Sequence, residues 1–533
     1  MAVSRRAFIG RTGSALAGAA LAPSALVREV RPAFRWAARS AADMPAPDMA
    51  ALLWQRAAFG ARPGDVEQTR QTGTDAWIEA QLNPDGLPDP YTDAVLAARG
   101  LTSYKQTSKQ LLEGNANASA QHLVAGTLLR QWFSPRQLYE VMVDFWNDHF
   151  TIYAGQADAG KVRIVDDRDV ARAHALSTFK TLLTASAHSP AMIMFLDNDT
   201  NQARQINENY AREIMELHSL GVAVAGVPYT EDDIKQVARC FTGWNWVRRS
   251  QKDTDIVGSF VYMDNIHDQN AKKVLGVSIP ARQGQQDGVQ VIDILSRHEA
   301  TPRFIATKLI RRLVCDDPVA DVPALVDRVA GVFTAKGGDV KAMLRTILTS
   351  PEFATSFGHF GGRYSRPLDY AARAVRALGG QPADFDALAV FATSRRGRAV
   401  GVLPAAGQVP FYWQTPDGYP DVKIAWSSSS GLLARWNYAL DLVGSLDRNA
   451  AGGPTGGGID SPISVIDQTP PDRRTAGEVA DYWIDRILHR PMLSADRAVL
   501  VDFVTAGGTE FDTLTAAQRA RIREMVALVL DSP

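Results

Sequence analysis

The side chains with the most chemistry to offer lie in one stretch, Asn207-Glu208-Asn209-Tyr210-Ala211-Arg212-Glu213-Ile214-Met215-Glu216-Leu217-His218. At about 100° per residue, a helix here puts Asn209, Glu213 and Glu216 on one stripe. Glu208 and Arg212, four positions apart, make an ion pair beside it. Ile206, Tyr210, Ile214, Leu217 and Leu220 occupy the remaining faces, so the helix reads as well buried. Carboxylates in such a place need a metal, a cation or a shifted protonation state. Either arginines, Arg212 first among them, neutralise these acids in an internal network, or the acids form a site. His218 falls about 140° round the helix from Glu213, so the two are not a simple EXXH metal pair.

Asp144-Phe145-Trp146-Asn147-Asp148-His149-Phe150 closes an aromatic-rich helix. His149 is there either a ligand or proton shuttle, or a packed core histidine. His267-Asp268, followed by Lys272, falls in a loop, where functional groups concentrate, although Asp264-Asn265 beside it are plain turn formers. In a catalytic reading Glu213, His149, His267 and Asp268 supply acid–base groups, and Glu213, Glu216, His149 and His267 ligate a divalent metal. Carboxylate and imidazole donors suit zinc, manganese or iron. The concrete reaction is a metal-activated water acting on an envelope glycan or ester, in a hydrolase or transferase. The competing reading is a non-catalytic binding or assembly protein. There the same groups stiffen a helical platform that holds an exported partner or a polysaccharide. Phe411-Tyr-Trp-Gln-Thr-Pro-Asp417-Gly-Tyr-Pro420 either lines a cleft for flat ligands or plugs the end of a helical core.

The elements that must position these groups are helical. Apolar residues recur at helical spacing over about residues 50–59, 75–82, 119–133, 135–145, 177–187, 207–220 and 230–243. Thr230-Glu-Asp-Asp233 reads as a capping box, and Thr301-Pro302 as a cap and first turn opening a helix over 303–314. Residues 259–263 and 273–277 are the clearest strands and are expected to pair as one small hairpin. The fold class is therefore all-α, a large helical domain over 48–449 with a minor β-hairpin element. A Gly/Pro-rich loop or linker over 450–475 leads to C-terminal helices over 476–533, packed on the main domain.

The chain begins with Ser4-Arg5-Arg6-Ala7-Phe8 before a weakly apolar stretch, with no acidic residue up to Leu26. This resembles a twin-arginine signal peptide over 1–26, predicting folded export to the periplasm or beyond and no transmembrane anchor after cleavage. Lys plus Arg total 57 and Asp plus Glu 58 over 533 residues, for a net charge of −1. That balance argues against nucleic acid as a partner. Cys240 and Cys315 are too few for a disulfide framework and read as buried apolar residues. No GxSxG elbow, Walker loop, HExxH or dinucleotide fingerprint occurs, which argues against the common hydrolase, nucleotidase and flavin classes.

At its polar segments the sequence resembles a large bacterial family known as the domain of unknown function 1800. The resemblance is carried by residues 145–150, 207–213 with 216–221, 229–234, Ala238-Arg239 with 242–244, His267-Asp268 and 302–313. It extends from about Leu52 to Trp436. It implies a fold and an exported address. It also implies, as a candidate companion, an exported sulfatase-like protein of the family numbered 1501. It implies no catalytic role for any residue.

Overall fold

Asp48 starts the first described helix by accepting the Ala51 amide at 2.9 Å, and α1, Met49–Arg56, buries Leu52, Leu53 and Trp54 behind this cap. The computed structural model describes residues 44–222, 229–248, 256–359, 364–381, 398–444, 463–506, 508, 511 and 515–532. The centre of the body is built on α2, Ala116–Phe133, and α3, Gln137–His149, whose Trp132 and Trp146 are fully buried. Helix α4, Ala157–Asp166, lies against α2 and runs directly into a π-helical turn, Asp167–Arg172.

Next come α5, Asn209–Glu216, and α6, Glu231–Phe241, packed on each other. The expected capping box opens α6: Thr230 Oγ1 accepts the Asp233 amide, and the Asp233 carboxylate accepts the Thr230 amide. Helix α5 is shorter than its apolar periodicity predicts. After Glu216 the backbone widens, and the amides of His218 and Leu220 donate to carbonyls five residues back, on Glu213 and Met215, at 3.1 and 2.7 Å. Gly221, at φ +93°, then turns the chain away. His218 thereby leaves the helical path and is buried.

Of the two expected strands, 259–263 forms at its centre, whereas 273–277 is split by a turn, and two further strands appear. β1, Trp244–Trp246, pairs with β2, Phe260–Tyr262; β3, Lys272–Val274, pairs with β4, Val277–Ile279. Both pairs are antiparallel and belong to separate sheets. The single hairpin is corrected for a local reason. Leu275 and Gly276 both have positive φ, the geometry of a tight two-residue turn, which folds β3 onto its immediate successor. β2 instead takes β1, whose Trp244 ring packs 5.2 Å from Phe260.

Beyond the sheets run α7, Gln286–Arg297, α8, Ala300–Leu313, and α9, Pro323–Ala335. Thr301 is not the cap of α8: the helix already starts at Ala300, and the Thr301 hydroxyl donates to the Leu295 carbonyl at 2.6 Å. Then follow α10, Pro367–Ala377, and α11, Ser429–Leu442. The last three are α12, Ala476–Leu488, α13, Ser494–Thr505, and α14, Ala516–Leu530. Their buried Val479, Trp483, Met525 and Val526 are continuous with the main core. Within the expected linker, residues 463–475 carry a short helix, Val465–Gln468, with Ile463 and Val465 buried; residues 450–462 lie outside the described residues. The expected signal segment, 1–26, also lies outside them. No described helix is long and apolar enough to cross a membrane. The fold is all-α with a minor β element.

Candidate functional site

Glu213 sits in the last turn of α5, half-buried, and its carboxylate makes no ion pair or side-chain hydrogen bond with the described residues. Its neighbour Arg212 is drawn elsewhere. That guanidinium meets Glu231 of α6 at 2.6 Å, Glu216 at 3.5 Å and Glu208 at 3.8 Å. Burial, then the charge of Glu216, with Asp417 adding to it, outweigh Arg212 and push the Glu213 carboxyl up to about 7. Glu216, on the same helix, is taken by Arg212.

Around the end of α3 is an aromatic wall with two buried imidazoles, His149 and His218. His149 Nε2–H donates to the His218 carbonyl at 3.1 Å, and its ring packs against Phe150 at 4.5 Å and Trp146 at 5.3 Å. Burial and the nearby Lys308 charge hold His149 well below the usual imidazole range, and the same two causes bring His218 down to about 3. Neither ring is a ready proton carrier at neutral pH. Each keeps one enclosed nitrogen without a partner, Nδ1 of His149 and Nε2 of His218, with ring centres 6.0 Å apart.

Lys308, on α8, completes this wall. Its ammonium lies 5.6 Å from the Phe304 ring centre and makes no hydrogen bond or ion pair with the described residues. Burial lowers it to about 8, against the pull of Asp421, Asp148 and Asp417. Both Glu213 and Lys308 thus change charge near neutral pH, the property a general acid or base requires.

The loop over 411–421 carries the remaining acids onto the end of α3. Gly418, at φ +75°, passes so close that a Cβ would meet the Asp148 carbonyl at 2.2 Å. The Phe411 carbonyl accepts the Ala154 amide at 2.8 Å, and the Tyr419 hydroxyl donates to the Val409 carbonyl at 2.7 Å. Of the two uses the sequence left open for this loop, the packing contacts bear on the plug. It plugs the end of the core, and it leaves Asp417 exposed, accepting from Trp413 Nε1 at 2.8 Å, beside a half-buried Trp413 ring.

Asp148 lies under this loop. Arg366 bonds it at 2.8 Å while also pairing with Asp144, with Asp369 at 3.2 Å and with Asp421 at 3.6 Å. Arg312 of α8 bonds Asp369 at 3.0 Å and Asp144 at 3.3 Å. Two guanidiniums serve four carboxylates, so burial and Asp144 push Asp148 upward to about 8.

The four ligands expected for one metal are not brought together. His267 is clamped at both nitrogens: Nδ1–H donates to the Thr242 carbonyl at 2.7 Å, and Nε2 lies 3.0 Å from Asp287 Oδ2. Lys272 holds the same Asp287 oxygen at 2.5 Å. Asp268 is bonded by Arg239 at 2.7 and 3.3 Å; against burial, Arg239 and the Asn270 groups hold its carboxyl down at about 2. These residues support the β segment, with both His267 nitrogens already engaged. Among the described residues no three His, Cys, Asp or Glu side chains are arranged to hold a metal ion. The ion would have to draw on His149 Nδ1 and His218 Nε2, the two free imidazole donors.

Lys308 and Asp421 escaped the reading of the sequence, and Asp148, though within the stretch Asp144–Phe150, was given no role of its own. Lys308 shares a helical face with Phe304 and Arg312, four residues to either side, and that face becomes informative only once its acidic partners, about a hundred residues or more away in sequence, are known.

A family model described as a protein of unknown function, DUF1800, matches residues 52–533. No curated protein and no solved structure matches the chain.

Proposed function

The chain belongs to the DUF1800 family, and on that premise we propose that it is an acid–base enzyme, a hydrolase or transferase acting on an envelope glycan or ester, with Glu213 as the proton-transferring group. The observation that carries this reading is the unpaired, half-buried Glu213 carboxyl, held near 7 while Arg212 beside it is spent on three other acids. A carboxyl in that range donates a proton to a leaving oxygen or takes one from water or a hydroxyl with little cost at neutral pH. Lys308 supplies a second titratable group, and the charge of Asp417 acts on both. The Trp413 ring and the exposed Asp417 offer a flat face and a hydrogen-bonding edge, the pairing that a sugar ring accepts.

The metal-dependent form of the reaction has less support, because His267 is committed to Asp287 and Thr242 and no third ligand joins the two imidazoles. The localisation proposed is periplasmic or extracellular, by the twin-arginine route, on the strength of Arg5-Arg6 and the stretch that follows. An exported sulfatase-like companion fits the same address.

The test is hydrolysis of isolated envelope polysaccharide, followed by new reducing ends, and of a chromogenic ester, by the mature chain and by Glu213→Gln. The wild type is expected to release product from one of the two, and the variant to lose that release at least 100-fold with an unchanged far-UV spectrum. Equal turnover by Glu213→Gln, or no product from either class, overturns the proposal.

A further inference from the structure

On the far side of the Asp144–Arg312–Arg366–Asp369 network lies a cavity of about 360 Å³, walled by α1, α10, α11 and the last helices. That is the size of a small-molecule site, too small for a folded partner. Its lining is basic beyond what its own acids can answer. Arg56, Arg312, Arg373, Lys423, Arg435 and Arg490 line it. Of the two lining carboxylates, Asp369 is held by Arg312 and Arg366, and Asp531 accepts the Tyr370 hydroxyl at 2.6 Å.

Three of these arginines, Arg56, Arg373 and Arg435, are left with donors unused. Arg56 is 6% exposed and makes no hydrogen bond or ion pair with the described residues; its Nη1 is enclosed and unpartnered. Burial, with the charge of Arg373 adding to it, pushes Arg56 down to about 9, still a cation at neutral pH. Arg373 donates only to the Gln55 carbonyl, at 2.9 Å, and Arg435, 7% exposed, to the Ser365 carbonyl, at 2.5 Å; the Nε of each is enclosed and free. The Arg435 guanidinium is fixed against the Tyr364 and Tyr370 rings, at 4.3 and 5.2 Å, and the Tyr364 hydroxyl also lacks a partner. Buried cations that repel one another and keep free N–H groups need a counter-charge, and planar guanidiniums match an oxyanion in shape and donor spacing.

We propose that this cavity is a binding site for a small oxyanion-bearing molecule, whose carboxylate, sulfate or phosphate group is held by Arg56, Arg373 and Arg435 while its remainder packs on Tyr364 and Tyr370. The site is separate from Glu213 and stands or falls independently of the acid–base reading.

The experiment is thermal melting and titration calorimetry of the full mature chain with sodium phosphate, sodium sulfate and sodium citrate, against sodium chloride at equal ionic strength. A saturable rise in melting temperature with at least one oxyanion, and none with chloride, is expected; which of the three acts identifies the group. Arg56→Met should melt higher than wild type without anion, because it removes an unpaired buried charge, and should bind the oxyanion at least tenfold more weakly. Arg373→Gln, which keeps bulk and one donor, should weaken binding in the same direction, and Glu213→Gln should bind as wild type does. Oxyanions acting no differently from chloride, or both arginine variants responding as wild type, overturn the proposal.

Discussion

Arg212 and Glu213 are adjacent in sequence and opposite in fate. One reaches outward to Glu208, Glu216 and Glu231; the other makes no ion pair among the described residues. A carboxyl raised from an ordinary 4.5 to about 7 carries a consequence for stability. Between those two values the folded chain binds more protons than the unfolded chain, so this group makes stability fall as pH rises through that window, and the loss is complete above it. Glu213→Gln removes the term. Its melting temperature should match wild type near pH 4.5 and exceed it above pH 7, by an amount corresponding to about 1–2 kcal/mol once the half-buried position is discounted for solvent screening. Parallel melting curves of the two proteins at every pH would show that Glu213 ionises as an ordinary surface acid. Glu213 stood out in the sequence because its stretch is dense in acids. His267 and Asp268 stood out for the same kind of reason and proved to be sealed by Asp287 and Arg239, since residue type says nothing about which cation lies opposite.

The docking of the loop over 411–421 onto the end of α3 shows how elements, not single residues, set the site. Asp417 reaches its place only because Gly418 lets the backbone pass against the Asp148 carbonyl. Gly418→Ala would bring a Cβ within 2.2 Å of that oxygen, in addition to an unfavourable positive φ. Gly407 provides the comparison, with φ +82° and nothing near its Cβ position. Gly407→Ala should cost about 1 kcal/mol, the conformational part alone, and Gly418→Ala at least about 2 kcal/mol more, as lost packing between loop and helix. Equal unfolding midpoints for the two variants in urea would mean that the loop gives way freely. Helices were readable where periodicity and a cap agreed: the box read at Thr230–Asp233 opens α6. The end of α5 was not, because apolar spacing continues through Leu217 and Leu220 while the widened turn depends on tertiary packing around His218. Strand partners were also out of reach, since three-residue strands are paired by their turns and by the rings they pack against, not by their own composition.

Across the whole molecule, the groups that define both sites are joined late in synthesis. Arg366 bonds Asp144 and Asp148 from more than two hundred residues away, Gln55 donates to the Leu488 carbonyl at 3.1 Å, and Tyr370 meets Asp531. Some early charges are buried within their own segment, as Arg163 with Asp166 and Arg172 with Glu140 and Asp167, but Asp144 and Asp148 await Arg366, and α1 awaits α12. Threading such a chain unfolded through a membrane would present those acids and arginines separately and require the network to assemble on the far side. A route that accepts folded cargo, as proposed for Arg5 and Arg6, avoids this. Replacing both by Lys keeps the charge and removes the guanidiniums on which the proposed twin-arginine route depends. The variant is then expected to accumulate in the cytoplasm as a folded, protease-resistant chain, with at least tenfold less protein in the periplasmic fraction. Fractionation with a cytoplasmic marker measures this directly; undiminished export of the double-Lys chain would mean that another route carries it and that the network assembles after crossing.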